Sequence, residues 1–152
     1  MTTYGVLTDL LVKQSPDAVV FADRDGIIRL WNAAAEVMFG HSAADAIGHS
    51  LDIIIPEEFR ERHWTGYRRA LAAGATKYAG RSLPTRSMKA DGEAFYVELS
   101  FSIIRDAAGA TIGALAHARD INERFEQDRA TRRRLRELEQ KVATSQEGGP
   151  PR

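Results

Sequence analysis

Residues 15–51 read SPDAVVFADRDGIIRLWNAAAEVMFGHSAADAIGHSL, and much of the fold follows from how that stretch is punctuated. Two apolar runs flank Asp23-Arg24-Asp25-Gly26. An Asp-Gly turn between hydrophobic runs is a strong short-range hairpin signal, so two antiparallel strands are expected over 18–32. Asn32 closes the second strand and can cap the helix that follows, which Gly40 stops. Ser42 is an N-cap for a second short helix, with Gly48 as its stop.

Upstream, YGVLTDLLVKQ places Leu7, Leu10 and Leu11 on one helical stripe. An amphipathic N-terminal helix within 1–14 is therefore expected, and its apolar stripe needs a partner surface. Downstream, IPEEFRERHWTGYRRALAAG at 55–74 reads as a helix from just after Pro56, and it carries His63 among arginines, glutamates and aromatics.

The second half is strand-rich. Polar and apolar residues mix irregularly from Thr76 to Met88, and Pro84 directs part of this stretch to a sheet edge or a bulge. KADG supplies a tight turn. In FYVELSFSII, Phe95, Val97, Leu99, Phe101 and Ile103 alternate with Tyr96, Glu98, Ser100 and Ser102, the pattern of a strand with one buried and one wet face. RDAAGA turns the chain into TIGALAHARD, where Ala114, Ala116 and Ala118 share one face and Leu115, His117 and Arg119 the other. Five strands, with helices inserted between the second and third, predict an α+β domain: a five-stranded antiparallel sheet with helices on one face.

After Asp120, a stretch rich in Glu, Arg, Leu and Ala has no Pro or Gly until position 148. A long exposed helix is expected there. Leu135, Leu138 and Val142 fall at alternating steps of three and four, while Asp128 and Thr131 interrupt the seam. This pattern predicts a short, imperfect coiled coil that makes a homodimer. The expected organisation is an N-terminal helix at 1–14, a core domain at 15–122, a signalling or dimerisation helix at 123–145 and a flexible tail at 146–152.

Composition narrows the function. Lys plus Arg and Asp plus Glu both number 21, so no net charge draws nucleic acid or anionic lipid. No apolar run approaches the roughly 20 residues that span a bilayer, and the N-terminus lacks a signal-peptide pattern, so a cytoplasmic location is expected. The absence of cysteine removes disulfides, thiolate zinc sites, cysteine nucleophiles and flavin–cysteine photochemistry. No phosphate loop, kinase histidine box or hydrolase triad is present, and the chain is not expected to be an enzyme.

The strand-ending Trp31-Asn32, Phe39-Gly40 with the later Ile47-Gly48, the KADG turn and Asp120-Ile121-Asn122 resemble a PAS domain over about residues 15–123. Asn122 replaces the usual Thr of the closing triplet. The resemblance is closest to haem-binding PAS domains of bacterial oxygen sensors, one group controlling nitrogen fixation and another cyclic-dinucleotide turnover. In them a proximal histidine on the long helix precedes the Asp-Gly turn by a fixed interval, and His63 precedes Asp91 by an interval that fits without a gap.

That resemblance implies haem b ligated by His63 and a diatomic gas, O2, CO or NO, as the signal. Distal residues of those sensors fall on Arg81, Leu83, Leu99 and Phe101. Leu83 stands where an arginine commonly hydrogen-bonds oxygen; Arg81, expected on the same strand face, and Arg86 are the alternative donors. Ala116 is the small residue that lets a flat macrocycle approach the last strand, and Arg69, with Arg68 behind it, is the candidate for the haem propionates. Met88 reads as packing rather than as a sixth ligand, and His41 and His49 as solvated. Arg119 and Asp120 would transmit the signal into the exit helix and on to an output domain or partner protein. Two alternatives remain: a PAS module holding a flavin or apolar metabolite, and a ligand-free dimerisation module whose cavity Phe95 and Phe101 fill.

Overall fold

The structure, a computed structural model, describes residues 3–78 and 80–147. The chain divides into two units, Met1–Asp120 and Ile121–Arg152. In the first, helix α1 (Thr3–Lys13) precedes β1 (Ala18–Asp23) and β2 (Ile28–Trp31), followed by α2 (Ala33–Phe39) and α3 (Ala43–Ala46). Two 3₁₀ turns, Leu51–Ile54 and Glu57–Phe59, lead into α4 (Arg60–Ala73), and β3 (Leu83–Met88), β4 (Ala94–Arg105) and β5 (Thr111–Asp120) complete the sheet. The helix expected from just after Pro56 thus begins as a 3₁₀ turn, and α-geometry starts at Arg60.

All five strands form one antiparallel sheet in the order β2-β1-β5-β4-β3, which puts Pro84 on an edge strand. The β1–β2 turn is held by the Asp23 carboxylate, which accepts from the backbone N–H of Asp25 at 2.9 Å and of Ile27 at 3.1 Å. Asn32 organises the other end of this hairpin. Its Oδ1 accepts from Val19 N at 2.9 Å and Ala35 N at 3.0 Å, and its Nδ2 donates to Val12 O at 2.9 Å and Asp17 O at 3.0 Å. One buried side chain therefore caps α2 and ties it to β1 and to the end of α1.

The sheet's inner face packs against α2, α3 and α4. Trp31 and Phe39 lie with ring centroids 5.3 Å apart, and Phe39 meets Phe95 edge-on at 5.8 Å. Ala18, Val20, Ile28, Val97 and Ala118 complete this sealed core. Among the described residues the stripe of α1 is left exposed: Tyr4 is 81% exposed and Leu11 62%.

The second unit is α5 (Asn122–Glu147), with Leu135, Leu138 and Val142 exposed along it. It runs two residues past the expected end at 145, because no Gly or Pro interrupts it before 148. Of the tail expected at 146–152, residues 148–152 lie outside the described residues.

Candidate functional site

Helix α4 attaches to the domain mainly through polar tips on aromatic and cationic side chains. Arg60 Nε donates to Ile55 O at 3.0 Å. Trp64 Nε1 donates to Asp52 Oδ1 at 2.8 Å, and the Tyr67 hydroxyl donates to Asp23 O at 2.5 Å and lies 3.2 Å from Ala22 O. Leu71 is buried, and at the end of the helix Arg105 Nη2 donates to Gly74 O at 2.6 Å. Positions 60, 64, 67 and 71 form one stripe at helical spacing. The Trp64 ring covers Gly26, whose φ of +76° and lack of a Cβ let the indole approach.

His63 sits at the edge of this stripe. Its ring meets Trp64 edge-on at 4.6 Å and Tyr67 at 5.7 Å. It is half-buried, and its Nδ1 is buried with no hydrogen-bond partner among the described residues. Burial pushes its pKa below the ordinary 6.5, with the Asp52 carboxylate opposing. Burial, and then Asp23 and Asp25, push the Tyr67 phenol up to about 12, so it remains a hydrogen-bond donor. The result is a neutral imidazole carrying an unsatisfied nitrogen. Such an orphan costs roughly 1–3 kcal/mol, and a neutral imidazole is the form that can ligate a metal through its other ring nitrogen.

On the sheet, Leu83 pairs with Leu99 and Phe101 with Ala116, so strands β3, β4 and β5 bring these four residues onto one face. That face has two ends. Phe95, Val97 and Ala118 are sealed, whereas Leu83, Leu99, Phe101 and Ala116 are only half-buried. Phe95 belongs to the aromatic core with Phe39, away from the half-open end.

The charged candidates are not gathered with this apolar set. Arg81 lies in the turn before β3, where Arg81 N bonds Tyr78 O at 2.9 Å, and it is exposed. The expectation that it shares the strand face with Leu83 is corrected: Gly80, at φ +74°, turns the chain, and the strand starts only at Leu83. Arg69 is exposed on α4, and neither it nor Arg81 forms an ion pair among the described residues. Arg68 and Arg86 are also exposed. His41 corrects a second expectation. It is half-buried with Nε2 enclosed, because Trp31 Nε1 donates to its carbonyl at 3.0 Å and draws the residue inward. His49 and His117 are exposed.

No group of three or more His, Cys, Asp or Glu side chains is placed to hold a metal among the described residues. A lone imidazole suits a centre that brings its other ligands with it. Trp64, Tyr67 and Asp52, which fix α4, are not singled out by sequence reasoning, although the step of three between Trp64 and Tyr67 and of four from Tyr67 to Leu71 was readable.

A family model described as PAS fold matches residues 12–126. The chain belongs to the PAS-fold family and is a PAS sensory domain. Two curated relatives also match. The chain is 31% identical over 127 residues to the sensor protein FixL of Bradyrhizobium diazoefficiens, covering 84% of this chain and 24% of that protein. It is 26% identical over 128 residues to the oxygen sensor protein DosP of Escherichia coli, covering 84% of this chain and 16% of that protein. The chain thus spans less than a quarter of the length of each. Among solved structures, a PAS domain from Colwellia psychrerythraea matches with a TM-score of 0.68 at 23% identity, covering 78% of this chain and 97% of that one. An RNA-binding light-oxygen-voltage receptor matches at 0.69 and 24% identity, covering 88% and 37%. These structural matches speak to fold alone.

Proposed function

We propose that this chain is a sensory module that binds b-type haem through His63 and detects a diatomic gas, O2, CO or NO, or the redox state of the iron. The observation that carries this reading is the half-buried His63, with its buried, unpartnered Nδ1 and burial-lowered pKa. The residues present fit such a group: one neutral imidazole donor, and an apolar sheet face left half-open at Leu83, Leu99, Phe101 and Ala116. The likeness to an oxygen sensor protein and to a sensor protein supports the same reading.

When bound, haem supplies an iron centre with a position open to a diatomic gas. Leu83, Leu99 and Phe101 would exclude water from a gas bound there, and Ala116 would leave room for a planar group against β5. Arg69, exposed on the same helix as His63, is free to take a carboxylate of the cofactor. Arg81 is the nearest cation in sequence to the Leu83 wall. The module works by binding rather than by catalysing a reaction. Its signal passes along β5 to Arg119, which now holds Asp17 at 3.1 Å, and through α5 to a second copy and an output domain or partner protein.

The test is the absorption spectrum of protein purified from haem-supplemented cells. A Soret band that His63→Ala abolishes is the expected outcome. Flavin bands would replace haem by a flavin, and a colourless, tightly dimeric protein would leave a ligand-free pairing module.

A further inference from the structure

The contact least expected from the sequence is that of Tyr67 with the β1–β2 hairpin. The pairing register of β1 with β2 shifts between Phe21 and Ala22, a bulge in the strand. Bulges locally disrupt the ladder and leave backbone groups free to bond elsewhere. The two carbonyls that meet the Tyr67 hydroxyl, of Ala22 and Asp23, are the ones at and just after this irregularity. On the other side, the Tyr67 ring lies 5.7 Å from the His63 ring and 5.3 Å from Trp64. Trp64 is itself fixed by Asp52 and Gly26. His63 has no hydrogen bond of its own at Nδ1, so nothing at that atom orients the ring.

We propose that Tyr67 is the positioning residue of His63: its hydroxyl, seated on the carbonyls of the β1 bulge, sets the rotation of α4 and holds the aromatic wall against which the imidazole rests. This rests on the haem reading for its function, but not for its test. Metal-ligating histidines ordinarily take their orientation from a hydrogen bond at the second ring nitrogen. Here ring packing against a side chain tied to the sheet replaces that bond. The same link joins His63 to the β1–β2 turn.

The test uses Tyr67→Phe, which keeps the ring and removes only the hydroxyl, in the full chain. The first readout needs no cofactor: the imidazole resonances of His63 by NMR, assigned by their loss in His63→Gln. Tyr67→Phe is expected to shift and broaden the His63 signals while those of His49 and His117 stay in place. The second readout is transfer of haem to an acceptor protein, expected to be roughly two- to tenfold faster, the size that loss of one hydrogen bond gives. Trp64→Phe, which keeps a ring over Gly26 but drops the bond to Asp52, should shift His63 in the same sense.

His63 resonances unchanged in Tyr67→Phe would overturn the proposal, whatever the haem result. A shift of those resonances in a protein that takes up no haem would uphold the positioning role and defeat the cofactor reading. A Tyr67→Phe protein with native dispersion elsewhere separates a positioning effect from general loss of fold.

Discussion

Trp64 donates its indole N–H to Asp52 at 2.8 Å while its six-membered ring occupies the space where Gly26 would carry a Cβ. One side chain thereby joins the helix bearing His63, the 3₁₀ turn before it and the first hairpin. At Gly26 two demands coincide, a φ of +76° and an adjacent ring, and both exclude an ordinary residue.

Gly26→Ala should therefore destabilise the domain by about 2 kcal/mol or more, combining left-handed strain with overlap. Urea unfolding at constant slope measures it. Adding Trp64→Ala should recover the overlap part but not the strain. A double mutant no better than the sum of its parts would mean that the ring does not press on position 26.

Asn32 makes four hydrogen bonds while only 4% exposed. Its replacement by Ala leaves several buried backbone groups unpaired, and a loss of about 3 kcal/mol or more is expected. Asn32→Asp keeps the acceptor for Val19 and Ala35 but loses both donors, and should fall between. A melting temperature for Asn32→Ala within a degree or so of the parent would contradict the account.

The imidazole of His63 is held neutral by burial, its pKa lowered from 6.5. A group with a lowered folded pKa binds fewer protons when folded than when unfolded. Its contribution is complete above about pH 6.5 and is lost as pH falls through that value towards the folded one. In the cofactor-free protein, the unfolding midpoint of His63→Gln should decline less between about pH 6.5 and 5 than that of the parent. Parallel curves would show that His63 does not titrate with folding.

Ala116 and Ala118 lie two residues apart on one face of β5 but differ in burial: Ala118 is 2% exposed and Ala116 half-buried. Ala118→Leu should cost about 1–3 kcal/mol by overpacking. Ala116→Leu should cost less in the cofactor-free protein, yet reduce cofactor uptake by obstructing the half-open end. Equal losses of stability would mean that this end is as tightly filled as the core.

Local chemistry carries far in this chain. Turn residues, caps and alternation made the β1–β2 hairpin, the Asn32 and Ser42 caps and the inward set of β4 readable, because each depends on neighbours a few residues away. The site was readable only in pieces. Leu83, Leu99, Phe101 and Ala116 were identifiable as sheet residues, and the pairing of β3, β4 and β5 brings them together. Arg81 was misplaced because a turn at Gly80, not strand periodicity, governs it. His41 was misread because its burial comes from a tryptophan ten positions upstream.

The order of elements, the α+β class and the PAS identity were thus already written into the amino-acid order, since backbone sterics and side-chain periodicity act over short distances along the chain. Which end of the sheet is sealed, and which nitrogen of His63 is left without a partner, was settled only when distant segments met. The docking stripe of α4 is built from Arg60, Trp64 and Tyr67, residues equally at home on a solvated surface. Their acceptors are mostly backbone carbonyls, which every residue carries and no sequence pattern marks.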